Sequence, residues 1–133
     1  MKNKVVLMKR KVILLAAITL VVLSAHAQLS GTKWKGMLKV PDPMQTLLDF
    51  KNDSLVDVYN ADENALVESM VYKVKDTLLS FRKISGSSPC DDTSYGKYKI
   101  TWKDGKFVIA LIDDPCDVRA GAFTSEPWEK IKN

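Results

Sequence analysis

Few side chains in this chain can do covalent or metal chemistry, and their positions restrict what it can catalyse. The one histidine is His26, and the two cysteines are Cys90 and Cys116. His26 lies in Ser24-Ala25-His26-Ala27-Gln28, directly after an apolar stretch from Val12 to Leu23 and a start rich in Lys2, Lys4, Lys9, Arg10 and Lys11. That order of basic, apolar and small residues predicts a secretory signal peptide over 1–27, cleaved after Ala-x-Ala. A membrane anchor needs about 18 or more apolar residues, which this stretch does not supply. No cysteine stands directly after the stretch, so lipid attachment there is excluded. Cleavage leaves one domain, 28–133, with no histidine. Ser-His-Asp and Cys-His catalysis then lack their base, and zinc and haem lack their commonest ligand.

Carboxylates are the remaining candidates. Asp62-Glu63, Asp91-Asp92 and Asp113-Asp114-x-x-Asp117 are clustered, yet none has the alternating ligands around a central glycine that a calcium loop needs. Two acids can share acid and base work in a hydrolase, but nothing in the pattern selects a pair. The expectation is a non-catalytic protein with no metal and no cofactor. Charge excludes another class. Five of the 20 Lys and Arg and none of the 16 Asp and Glu lie in 1–27, which leaves 15 bases against 16 acids. A near-neutral domain lacks the excess positive charge expected of a nucleic-acid binder.

The elements that must position these residues are short and alternate with period two, as in an all-β fold. Thr32 to Val40 sets Trp34, Gly36, Leu38 and Val40 on one face and Lys33, Lys35 and Lys39 on the other. Pro41-Asp42-Pro43 ends that run. A three-residue loop at Asn52-Asp53-Ser54 pairs Phe50 with Val56 and Leu48 with Val58, whereas a two-residue loop buries Asp57. A turn at Lys75-Asp76 pairs Val74 with Thr77, Tyr72 with Leu79, Met70 with Phe81 and Glu68 with Lys83, so that the one acid of the apolar row meets the one base of its partner. Asp104-Gly105 suits a type I′ hairpin pairing Trp102 with Phe107, Ile100 with Ile109 and Tyr98 with Leu111. A loop over Asp113–Ser125 precedes a last short strand around Trp128 to Lys132. Eight such strands predict an antiparallel up-and-down meander closing into a small barrel, with a two-sheet sandwich as the alternative.

The hairpin register, extended outward, brings residues near Thr93 opposite Cys116 and leaves Cys90 close by. In an exported protein, two such cysteines predict a disulfide across the hairpin mouth. The run Gly96-x-Tyr98, the Asp-Gly hairpin, Asp114-Pro115-Cys116-x-x-Arg119 and Trp128 together resemble the C-terminal half of small secreted bacterial lipocalin-like proteins. Gly31-Thr32-Lys33-Trp34 is similar to the Gly-x-Trp opening of the lipocalin and calycin group, with one residue more. The resemblance implies an eight-stranded lipocalin-like barrel, with Trp34 buried at the closed end beneath a basic side chain, for which Arg119 is the first candidate.

The inward rows hold seven large rings, at Trp34, Phe50, Tyr72, Phe81, Tyr98, Trp102 and Phe107. Tyr72, Tyr98 and Trp102 are the ones expected to border a ligand cavity, with Glu68 and Lys83 as polar neighbours or as a structural pair near the rim. Two readings follow. In one, the exported barrel, periplasmic or extracellular, binds a small apolar or amphipathic molecule at its mouth. In the other, a filled barrel displays loops to a protein partner as an enzyme inhibitor would, with Ser85-Gly86-Ser87-Ser88 as the display loop. Neither reading involves nucleic acid or a stable membrane anchor after cleavage.

Overall fold

The structure, a computed structural model, describes residues 29–132; the signal peptide expected over 1–27 lies outside them. The described chain is all-β: β1 Thr32–Lys39, β2 Pro43–Phe50, β3 Leu55–Asn60, β4 Ala65–Lys75, β5 Leu78–Gly86, β6 Tyr95–Lys103, β7 Lys106–Asp113 and β8 Glu129–Ile131, with one helical turn, α1 Asp117–Ala120, inside the expected loop. All pairings are antiparallel, in the order β7-β6-β5-β4-β3-β2-β1-β8. Each strand beside its sequence neighbour is the meander expected from the turn residues. The last strand returns to β1, and a reciprocal pair of hydrogen bonds between Phe107 and Trp128 links it to β7. The barrel is therefore nearly closed, with one bridge between its two edge strands and three residue pairs between β8 and β1.

Two registers agree with the reading from side-chain faces. Leu48 pairs with Val58 and Phe50 with Val56, while Tyr98 pairs with Leu111, Ile100 with Ile109 and Trp102 with Phe107. Asp104 and Gly105 both have positive φ, as a type I′ turn requires.

The β4–β5 register differs from expectation. The turn residues are Asp76 and Thr77, so Val74 pairs with Leu79 and Tyr72 with Phe81. Asp76 takes φ +55°, a conformation that aspartate tolerates better than most residues. The shift is two residues, so each side chain keeps its face, and facing alone did not distinguish the two turns. The same register sets Lys83 opposite Met70, and a bulge between Ser69 and Met70 then moves Glu68 opposite Gly86. Glu68 and Lys83 are thus not direct cross-strand partners.

The core is graded from end to end. At one end, Trp34 meets Trp102 and Phe107 edge-on with ring centroids 5.7 and 4.6 Å away, Phe50 meets Tyr72 at 4.9 Å, and Trp128 stacks on Phe107. Gly36 makes room for that packing, since a Cβ there would lie 2.5 Å from the Trp128 ring. The other end of the inward rows carries Leu38, Met44, Val58 and Met70 instead. The tryptophans and Phe107 close one end, and these slimmer side chains leave space at the other, where Phe81, Tyr98 and Phe123 form a second ring cluster.

Candidate functional site

The open end holds a cavity of about 750 Å³. Its walls come from the C-terminal end of β1, the N-terminal ends of β2 and β4, and the C-terminal end of β3; Leu38, Val40, Met44, Val58, Val67 and Met70 make them mostly apolar. Phe123 forms part of the lining, stacked on Phe81 at 5.4 Å and edge-on to Tyr98 at 4.9 Å. Polar groups gather at the rim. Glu68 is on the lining and accepts a hydrogen bond from Ser88 Oγ, while Lys83 Nζ donates to the Ser88 carbonyl. Ser88 therefore joins the two side chains that the sequence placed side by side.

The rim is held by a polar cluster. Asp114, whose side chain is fully buried, receives Arg119 Nε at 2.6 Å and Nη2 at 2.9 Å, and also accepts from the Tyr98 hydroxyl and from the Cys116 N–H at 2.9 Å. Arg119 Nη2 also donates to the Ser94 carbonyl, and the Tyr98 hydroxyl lies 3.2 Å from the Arg119 carbonyl. A Cβ on Gly96 would come within 2.1 Å of the Asp114 carboxylate, so the strand must carry glycine where this group rests on it. Burial alone would raise the Asp114 pKa; hydrogen bonds from Arg119, Tyr98 and Cys116 outweigh it and hold the carboxyl below its ordinary value. Burial, reinforced by the neighbouring Asp114 carboxylate, pushes the Tyr98 hydroxyl strongly upward. A Cys90–Cys116 disulfide ties the same region to the loop after β5. Together these ties fix α1, and through it the stretch from Gly121 to Phe123, whose Ala122 carbonyl accepts from Lys39 on β1.

Several expected site residues lie elsewhere. Tyr72 and Tyr98 are buried and do not line the large cavity: Tyr72 donates its hydroxyl to the Asn52 carbonyl and its pKa is pushed up to about 12, chiefly by burial, while Tyr98 is occupied by Asp114. Trp102 packs with Trp34 at the aromatic end, far along the hairpin from Tyr98. Trp34 is buried as expected, but Arg119 does not cover it. Arg119 is bound to Asp114 beside Gly96, at the opposite end of the β6–β7 hairpin from Trp102 and Phe107, and the Trp34 Nε1 donates to Thr32 Oγ1 instead. Among the described residues, no group of three or more His, Cys, Asp or Glu is arranged to hold a metal.

The sequence reading missed the aliphatic wall and the role of Asp114. Both had a signal: Leu38, Val40 and Met44 put aliphatic side chains on both sides of the Pro41-Asp42-Pro43 turn, and Asp114 stands five residues before Arg119 across a Pro-Cys turn. No protein-family model matches the chain, and neither a curated protein nor a solved structure does.

Proposed function

We propose that this is an exported, lipocalin-like barrel that binds a small apolar or amphipathic molecule, without covalent chemistry, in the cavity at its open end. The observation that carries this reading is the cavity itself: about 750 Å³ with aliphatic walls, which is within the range of small-molecule sites. Apolar walls reward burial of an apolar body, and Glu68 and Ser88 at the rim supply an acceptor and a hydroxyl for a polar end. The disulfide fits an oxidising compartment. Lipocalin-like kinship rests on the resemblance of the hairpin and of the Gly-x-x-Trp opening, together with the meander and its nearly closed barrel. The competing reading, loop display to a protein, has less support, because Gly86 is paired in β5 and Ser87 and Ser88 fold against the cavity.

The test is a calorimetric screen of fatty acids, retinoids, bile acids and porphyrins. Tryptophan quenching is a poor reporter here, since the three Trp pack together at or beside the opposite end. Binding tighter than about 100 µM, worth about 5 kcal/mol, supports the reading. Absence of binding across all four classes makes a protein partner the better account.

A further inference from the structure

We propose that the outer face of β4–β6 is a docking surface for an anionic lipid bilayer, formed by Lys73 and Lys75 on β4, Lys97 and Lys99 on β6, and Arg82 and Leu78 on β5 between them. The near-neutral total conceals an uneven distribution of charge. On β5, Ser80 pairs with Lys73 on one side and Lys97 on the other, and Leu78 pairs with Lys75 and Lys99. Four exposed lysines thus flank two uncharged residues. Successive lysines on a strand are about 6.7 Å apart, and the two columns are separated by two strand spacings, about 9.5 Å.

The opposite wall is arranged differently. Lys33 and Lys35 on β1 each have an acid as direct cross-strand neighbour, Asp49 and Glu129, although among the described residues neither lysine forms an ion pair and Glu129 is bound to Lys106. On β4–β6 only Lys97 has such a neighbour. The acids bordering the β4–β6 face are Asp76 in the turn, Asp113 paired with Lys97, Asp53 beside Lys73, and Asp92, whose carbonyl meets Arg82. Among the described residues, none of their carboxylates forms an ion pair with any of the four lysines or with Arg82. Arg82 instead donates to the Tyr95 hydroxyl and to the Asp92 carbonyl, and both Arg82 and Lys73 lie over the Tyr95 ring. The hydrogen bond from Arg82, with the Lys73 cation close by, holds the Tyr95 hydroxyl below its ordinary pKa.

Two features select a bilayer over a soluble polyanion. The cations are spread in two dimensions across three strands, which suits a charged plane better than a single extended chain. Leu78 is 37% exposed among the lysines, and Ile84 is 46% exposed further along β5. An apolar side chain gains nothing against a hydrated polymer, whereas at a bilayer surface it reaches beneath the headgroups. The face is on the barrel wall, away from the cavity, so the proposal stands independently of any ligand inside.

The experiment is vesicle flotation of the exported protein, its N-terminus verified by mass, with phosphatidylcholine vesicles and with vesicles half phosphatidylglycerol. The expected result is partitioning onto the anionic vesicles only, weakening as salt rises from 50 to 300 mM. Each lysine removed should lower it about fivefold, so the pairs Lys73→Gln/Lys75→Gln and Lys97→Gln/Lys99→Gln should each lose on the order of 25-fold. Lys33→Gln/Lys35→Gln should leave it nearly unchanged, and Leu78→Ser should weaken it at constant charge. Failure to bind anionic vesicles, or equal loss from the β1 pair, overturns the proposal. So does displacement by dextran sulfate with no effect of Leu78→Ser, which assigns the face to a soluble polyanion.

Discussion

At Asp114, burial and hydrogen bonding act in opposite directions, and hydrogen bonding wins. Because the folded carboxyl titrates below its ordinary value of 3.8, the group adds stability above that pH, and the contribution is lost as pH falls through the folded value. Tyr98 acts at the other limit. Its hydroxyl is raised above its ordinary 10.0, so stability declines once the unfolded chain ionises it above that pH. Chemical denaturation across pH should therefore show a plateau between about pH 4 and 10 with a fall on both sides. Asp114→Asn should lower stability by about 3 kcal/mol or more at neutral pH, since it leaves the Arg119 charge buried without its partner, and should flatten the acid limb. A variant with the wild-type acid limb would remove Asp114 from this account. Gly36 is a separate case. Its missing Cβ is what admits the Trp128 ring, so Gly36→Ala should cost about 1 to 3 kcal/mol by overpacking and shift tryptophan emission to the red. An unshifted spectrum would mean that Trp128 packs elsewhere.

Among the elements, turn chemistry and side-chain alternation differ in how much they determine. The Asp104-Gly105 hairpin was legible to the residue, because both turn positions need positive φ and Asp-Gly supplies it, which fixes the register that pairs Trp102 with Phe107. The β2–β3 loop was legible because a slip of one residue would bury Asp57. The β4–β5 turn was not, because its two candidates differ by two residues and give the same facing; in the structure Asp76 takes the left-handed turn conformation and Val74 meets Leu79. Arg119 was misplaced for a related reason: an arginine near the chain's end can reach either barrel end, and only the fold of α1 directs it to Asp114. The disulfide, inferred from the hairpin register, closes a loop of 26 residues. Replacing both cysteines by alanine should cost about 3 kcal/mol in the chain-entropy model. Urea midpoints of the wild type and of this variant check it. The variant should also lose order in α1 and at the cavity rim before the aromatic end, which hydrogen exchange resolves.

At the scale of the whole molecule, the barrel combines a wedge of rings around Trp34 at one end with a chamber at the other that is aliphatic but for Phe123. The count of inward rings suggested a filled interior, but a count does not give their distribution along the axis, and the chamber depends on that distribution. Methionine methyls report on it directly, because Met44 and Met70 line the chamber while Met37 is outside it, on the opposite face of β1 from Leu38. With methionine methyls labelled, the ligand strongest in the screen should be titrated into the protein while the resonances are followed. The account predicts saturable shifts at Met44 and Met70, with Met37 unmoved. It also predicts their loss in Val58→Trp, provided that this variant keeps the native strand signals. Saturable binding that leaves Met44 and Met70 unshifted, or that persists in Val58→Trp, would contradict the claim that the open end of this barrel is its binding site.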